Sequence, residues 1–169
     1  MLTGYTPCFR REAGSYGSDV RGLNRLHQFD KVEIVRIEEP SKSYKVLDEM
    51  VEHVKNLLLE LELPFRIVRL CGGDLGFTSA LTYDFEVYSM GQNKWLEVSS
   101  VSNFESFQSN RLNLKIDLGD KKKNYAHTLN GSSLALPRIV ACILENFQEK
   151  DHINIPEKLH KYTGFKQIK

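Results

Sequence analysis

The sequence is short of several things. It holds three cysteines, Cys8, Cys71 and Cys142, and one tryptophan in 169 residues. The cysteines are odd in number, far apart and form no C-x-x-C pair, which excludes a disulfide scaffold and a zinc ribbon. The five histidines, His27, His53, His127, His152 and His160, show no metal-ligand spacing on one element. The formal net charge is only +1, which argues against a purely electrostatic nucleic-acid binder and leaves room for a local basic loop. No apolar run approaches the roughly 18 residues of a membrane span, and the first residues lack a charged leader followed by an apolar stretch. These absences set the expectation of a reduced, soluble, cytoplasmic protein that does not engage a membrane. What remains is ordinary for a globular domain, at 41% hydrophobic and 27% charged residues. A chain of this length suits one domain and buries roughly 70% of its unfolded surface.

The hydrophobic pattern predicts α+β, an antiparallel sheet flanked by helices. Residues 2–12 read as extended, with Pro7 best placed near a sheet edge. Residues 13–24 are a Gly/Ser/Asp-rich loop, and 28–38 return to a strand, so the two strands should form a hairpin. Loops of this length are uncommon and often functional. A helix is expected to open at Pro40-Ser41, with Leu47, Met50, Val51, Val54, Leu58 and Leu61 on one face and His53 off it. Leu63-Pro64 ends it. Strands are expected at 65–71, 82–90 and 94–101, the last two joined by a tight turn at Gly91–Asn93. A short helical turn is expected over 103–110, a charged loop at Lys121–Lys123 and a short strand over 125–131. A final helix runs to 147 with Pro137 in its first turn, where proline is tolerated. The tail 150–169 reads as polar and irregular.

Three clusters could carry chemistry. The first is Phe9-Arg10-Arg11-Glu12, with Arg25, Phe29 and Glu33 four apart beyond the loop. Residues 10 and 12 share a strand face, and so do 25, 29 and 33 if the strand is regular. Arginine pairs with phosphate, a flat ring stacks on a base, and a carboxylate takes an ammonium group. The same residues also suit a solvated hairpin with cross-strand ion pairs. The second is Glu97-Val-Ser-Ser100. Glu97 and Ser99 share a face, and Ser100 joins Glu97 only if the strand ends or bulges there. A carboxylate and a hydroxyl are hard oxygen ligands suited to magnesium held with phosphates. An outward polar edge face is the plainer reading. The third is Asn130-Gly-Ser-Ser-Leu-Ala-Leu-Pro-Arg138, where a strand, a glycine and a helix carrying Arg138 in its first turn make an anion site. Ser132 or Ser133 as a mere N-cap is the alternative. No phosphate-binding G-x-x-x-x-G-K-[ST] loop occurs, and Gly72-Gly-Asp-Leu-Gly76 is not a dinucleotide turn.

Taken together, these segments resemble one family, the seryl-tRNA synthetases of class II. Thr6 to Glu33 is similar to the family's motif 2 and its loop, which gives motif 2 the span of about 5–36. Asn130 to Arg138 is similar to motif 3, about 126–147, and Leu96 to Asn103 to the segment between them. Ile155–Leu159 and Tyr162–Phe165 resemble the family's C-terminal tail, 150–169. The resemblance implies a class II synthetase catalytic fold that uses ATP and magnesium. It implies activation of L-serine to seryl-adenylate and transfer to the acceptor end of tRNA(Ser), in a homodimer.

Residue by residue, the resemblance implies that Arg10 holds the α-phosphate and the serine carboxylate, the catalytic task. Glu12 would contact the adenine amino group, and Phe29 would stack on adenine. Arg11 and Arg25 would lie in the nucleotide site, Arg25 near the phosphates. Arg138 would grip the γ-phosphate end. Glu97 and Ser100 would ligate the metal, with Val98 and Ser99 between them beside ATP. Glu33 would take the serine ammonium group, and Asn130 and Ser132 would lie near its side chain. The loop 13–24 would reach the tRNA.

The family's N-terminal coiled coil, its motif 1 and the Thr-x-Glu loop that recognises serine have no counterpart in this sequence. Leu81 stands where many relatives carry lysine. The chain therefore reads as the C-terminal part of a catalytic domain. Weak or absent serine activation is expected from it alone, together with association through an exposed strand edge and apolar face. A non-catalytic synthetase-like module binding ATP, RNA or a protein is the competing reading; the retained set Arg10, Glu12, Glu97 and Arg138 weighs against it.

Overall fold

A computed structural model describes residues 1–11, 22–119 and 123–169. Glu12, most of the expected loop and the Lys121-Lys122 pair lie outside the described residues. The elements are β1 (Leu2–Phe9), β2 (Gln28–Glu38), α1 (Ser43–Glu60), β3 (Phe65–Arg69), β4 (Leu81–Ser89), β5 (Lys94–Asn103) and α2 (Phe107–Leu112). They continue as β6 (Lys115–Asp117), β7 (Lys123–Tyr125), β8 (His127–Ala135), α3 (Leu136–Asn146), β9 (Ile153–Asn154), α4 (His160–Thr163) and β10 (Gln167–Ile168). Short 3-10 turns occupy Gly22–Asn24 and Glu157–Leu159.

Six strands form one sheet in the order β1-β2-β8-β5-β4-β3, antiparallel at every step. The hairpin of β1 and β2 is present, and Pro7 sits on the edge strand β1, opposite Asp30. That position tolerates a residue with no N–H to give.

The two faces of the sheet differ in character. Residues directly opposite in an antiparallel pair project to the same side. The registers Ile34↔Gly131 and Val101↔Gly131 therefore put Ile34, Leu129 and Val101 on one face. Phe85 and Val87 of β4 join them, all buried, in a single core with Val46, Leu47, Met50, Val54 and Leu58 of α1. Ile139, Cys142 and Ile143 of α3 complete that core. The other face carries Glu33 opposite Ser132, Ser102 opposite Asn130 and Asp84 opposite Ser100. Both long helices pack on the apolar side, which leaves the polar side open.

The apolar stripe of α1 is where the periodicity put it, but the helix starts at Ser43 and not at Pro40-Ser41. Pro40–Lys42 form a turn closed by Lys42 N–H on Glu39 O at 3.0 Å. The fully buried Ser43 explains the start. Its Oγ donates to Pro40 O at 3.2 Å, accepts from Asn103 Nδ2 at 3.2 Å and lies 2.8 Å from His127 Nδ1. This buried network ties the first turn of α1 to β5 and β8, and buried polar atoms must be paired in this way.

Other boundaries shift. The helical turn expected over 103–110 lies at Phe107–Leu112. The strand expected over 125–131 divides into β7, paired with β6, and the longer β8. The tail is not irregular. β9 pairs with β10, Ile155 N–H donates to Lys166 O at 2.9 Å, and Pro156 is fully buried while Leu159 packs on the core. Its apolar anchors are spaced too widely to register as a strand or helix period.

Candidate active site

The site lies where β1, β2, β5 and α3 meet on the polar side. A cleft enclosing ≈ 460 Å³, its open mouth included, is lined by Arg10, Phe29, Lys31, Glu97, Ser132 and Arg138 among others. Arg10 continues the parity of Cys8, which lies opposite Phe29, so its guanidinium stands over the Phe29 ring, 4.4 Å from the centroid. Its backbone N–H donates to His27 O at 2.7 Å, extending the hairpin by one rung. Phe29, Lys31 and Glu33 share a face by strand alternation. Lys31 Nζ pairs with Glu33 Oε2 at 3.2 Å, and Ser132 Oγ donates to Glu33 Oε2 at 3.3 Å.

Two irregularities build the rest. The register of β5 against β4 slips between Phe85 and Glu86: Glu86 faces Glu97, Phe85 faces Ser99 and Asp84 faces Ser100. Val98 is the extra residue of this bulge, and the bulge turns Glu97 and Ser100 to the same polar face. Ser99 does not share that face with Glu97; its Oγ donates to Ser132 O at 2.6 Å. The second irregularity is in β8, where Lys31 faces Ala135 but Glu33 faces Ser132. Leu134 takes φ +99° here, a conformation a branched side chain adopts at a cost of about 1–3 kcal/mol. It directs the chain into α3, whose N-cap is Ala135 with no side-chain cap. Neither Ser132 nor Ser133 caps the helix.

Pro137 in the first turn then presents Arg138 to the cleft. Arg138 Nε donates to Asn24 O at 3.1 Å and its terminal nitrogen to Glu97 O at 2.5 Å. The guanidinium is thus strapped between the 3-10 turn and β5. Burial draws its pKa down and the Glu97 charge opposes that, while Arg10 and Arg25 add repulsion. Arg25 therefore stands close to the cationic cluster, but it precedes β2 and does not share the Phe29–Glu33 alternation. Arg11 is exposed at the end of the first described segment. Glu12 lies outside the described residues.

Glu97 is pushed to a higher pKa, first by desolvation and then by Asp84; Arg138 and Arg10 pull it back. Asp84 is raised by its own burial, eased by the Ser100 hydroxyl. Its Oδ1 is buried without a hydrogen-bond partner. Two carboxylates held near one another, with an orphaned oxygen, form a pocket of negative potential inside a cationic rim. A raised acid pKa means the charged form is disfavoured by folding, so the penalty is present at neutral pH, shrinks as pH falls below the folded pKa and is gone below the unfolded one. Replacing Glu97 by glutamine is therefore expected to raise the thermal midpoint of the ligand-free chain at pH 7. The gain should shrink as the melts are repeated at lower pH.

Two members of the site escape a motif search. Lys31 had a signal, its even spacing from Phe29 and Glu33. Asp84 depends on the bulged register of β5, which no spacing reveals. Among the described residues no group of three or more His, Cys, Asp or Glu converges to hold a metal by protein ligands alone, and no helix is long and apolar enough to cross a membrane.

The model of the tRNA synthetase class II core domain (G, H, P, S and T) matches residues 1–147. A serine–tRNA ligase of Salinibacter ruber is 59% identical over 97% of this chain and 39% of its own length. One from Methylacidiphilum infernorum is 58% identical over 94% of this chain and 38% of its own. The crystal structure of Pyrococcus horikoshii seryl-tRNA synthetase complexed with ATP superposes with a TM-score of 0.94 at 45% identity, covering 98% of this chain and 38% of that one. The cytoplasmic serine–tRNA ligase of Naegleria fowleri in complex with AMP gives 0.93 at 34% identity, over 99% of this chain and 42% of that one. The chain thus spans about two fifths of the length of the relatives it matches. With its antiparallel sheet, its open polar face and a match over residues 1–147, the chain belongs to the class II tRNA synthetase core-domain family, and its similarity runs to the serine–tRNA ligases.

Proposed function

We propose that the chain forms the ATP-binding and metal-binding part of a serine–tRNA ligase active site. The reaction is ATP-dependent activation of L-serine to seryl-adenylate, followed by transfer to the acceptor end of tRNA(Ser). The observation that carries this reading is the convergence of Arg10, Phe29, Glu97 and Arg138 on one cleft. These four come from three separate stretches of sequence and supply cation, ring and carboxylate, the set a nucleoside triphosphate requires. Residues 5–36 would be motif 2, 126–147 motif 3 and 150–169 the family's C-terminal tail.

In this reading Phe29 stacks on the base and Arg10 holds the phosphate under attack together with the serine carboxylate. Both are positioning and electrostatic tasks, worth most when the donors are fixed beforehand. Arg138 is fixed by its two carbonyl partners and grips the far phosphates, with Arg11 and Arg25 adding positive charge nearby. The family resemblance assigns the adenine amino group to Glu12, which lies outside the described residues. Val98 and Ser99 form the wall beside ATP. Glu33 takes the serine ammonium, with Asn130 and Ser132 toward the side chain.

Glu97 and Ser100 fit a hard divalent cation. The orphaned Asp84 Oδ1 and the repulsion between Asp84 and Glu97 mark the place where positive charge is wanted. A protein shell this incomplete suits Mg2+, which takes one or two carboxylates and fills its octahedron with water and phosphate. When bound, the ion supplies charge neutralisation for the phosphates. The homodimer and the tRNA contacts belong to the same proposal, and cytoplasmic protein synthesis is its setting.

Isothermal titration of the chain with ATP, with and without Mg2+, tests this directly. Saturable binding strengthened by Mg2+ is expected, with weak or no serine-dependent ATP–pyrophosphate exchange. A folded chain that binds no ATP in either condition overturns the reading.

A further inference from the structure

One amide beside the proposed serine site has no role so far. Gln108 is the second residue of α2, and its Oε1 accepts two hydrogen bonds from β8. One comes from Thr128 Oγ1 at 2.7 Å, the other from Asn130 Nδ2 at 3.2 Å. The helix is fastened to the strand around it. Ser109 Oγ donates to Ala126 O at 2.5 Å, Phe104 N–H to Thr128 O at 2.9 Å, and Thr128 N–H to Glu105 O at 3.0 Å. These bonds place the segment that carries Gln108 against β8 without involving Asn130, so the Asn130 amide meets a partner set by the docking of α2.

The consequence lies in the asymmetry of an amide, which donates at one end and accepts at the other. With Nδ2 committed to Gln108, Oδ1 occupies the opposite branch of the Asn130 side chain. No described residue donates to that oxygen. Asn130 shares its face with Ser132, Glu33 and Ser102, the polar side on which the amino acid is proposed to bind.

We propose that Gln108 is a positioning residue that fixes Asn130 as an acceptor toward the substrate, and so selects an amino acid whose side chain donates a hydrogen bond. The inference rests on the reading of the site given above. Without Gln108 the Asn130 amide is free to turn over and present its NH2, and the acceptor is lost for part of the population. A site that must hydrogen-bond a substrate hydroxyl rejects the analogue lacking it far more strongly than an apolar pocket rejects one methylene. Fixing the amide sense is the device that secures this discrimination here. Thr128 supports it, since its hydroxyl takes the second lone pair of Gln108 Oε1.

The test is calorimetric titration of the chain with seryl-sulfamoyl-adenosine and alanyl-sulfamoyl-adenosine, two non-reacting adenylate mimics that differ by one hydroxyl, with ATP as the reference. The unmodified chain should prefer the seryl compound. Gln108→Ala should cut that preference by about tenfold, the factor that corresponds to roughly 1.4 kcal/mol, while ATP affinity reports that the fold is retained. Gln108→Glu should keep the preference, because a carboxylate at 108 can only accept and holds Asn130 in the same sense. An unchanged preference in Gln108→Ala overturns the inference, and so does an equal loss in Gln108→Ala and Gln108→Glu, which would mark a packing role. A chain that binds ATP but neither mimic overturns the inference and leaves the nucleotide site standing. A chain that binds none of the three overturns the proposed function as well.

Discussion

Arg138→Ala should lower the affinity of the chain for ATP with Mg2+ by about 100-fold. The guanidinium is strapped by two backbone carbonyls, Asn24 O and Glu97 O. Its rotamer is therefore already chosen before any anion arrives. Charge-assisted hydrogen bonds are worth about 1.5–3 kcal/mol each, and loss of one such contact with a phosphate accounts for the stated factor. A second effect accompanies the first. Arg138 is the first of the charges that hold down the Glu97 pKa, so its removal leaves Glu97 and Asp84 facing each other with less compensation. Arg138→Lys should recover only part of the loss, because an ammonium cannot bond both carbonyls and a phosphate in the same planar fork. Titration calorimetry of the three proteins gives the answer, with thermal melts to show that all are folded. Affinity within threefold of the original for Arg138→Ala would remove Arg138 from the site.

Gly131→Ala should destabilise the chain by about 3 kcal/mol, the upper end of the usual range for overpacking a core. Gly131 lies on the apolar side of β8, between Ile34 and Val101. A Cβ built there would stand 2.8 Å from Val101 Cγ2, 2.9 Å from Ser100 O and 2.9 Å from Val101 Cα. Two of these three neighbours are backbone, so no rotamer change relieves the clash. One strand must move away from the other. In a domain of this size the loss corresponds to a fall of roughly 6–12 °C in thermal midpoint. Because the displaced backbone includes Ser100, Mg2+-dependent strengthening of ATP binding should decline as well. A melt within 2 °C of the original would show that the sheet accommodates the methyl group and would contradict the argument.

The physical reasons for what could and could not be read in advance divide along the same lines. The stripe of α1, the alternation in β2, the turn at Gly91–Asn93 and the Pro137 start of α3 were all legible. Each is a local preference of a few residues, and local preferences write themselves as periodicity and turn chemistry. That Arg10, Phe29, Glu97 and Arg138 belong together was legible too, because they sit in motifs dense enough to resemble one family, and they line one cleft.

Their arrangement was not. Glu97 and Ser100 share a face only because Val98 is an extra residue against β4. A bulge is decided by how two strands pair, and neither strand announces it. Ser43 starts α1 because its hydroxyl is needed by Asn103 and His127, residues 60 and 84 positions away. The tail folds because Pro156 and Leu159 find an apolar surface made by other elements. Asp84 meets Ser100, and Gln108 meets Thr128 and Asn130, through register and docking, with no motif of their own.

The amino-acid sequence by itself therefore determined the fold class and the main helices and strands, since these follow from short-range pattern, while the chemical repertoire was legible through motifs that resemble one family. The tertiary structure decided which of those groups meet, and in what sense each presents its donor or acceptor. Those questions turn on contacts between residues distant in the chain, where one bulge or one strained Leu134 redirects a whole cluster of side chains.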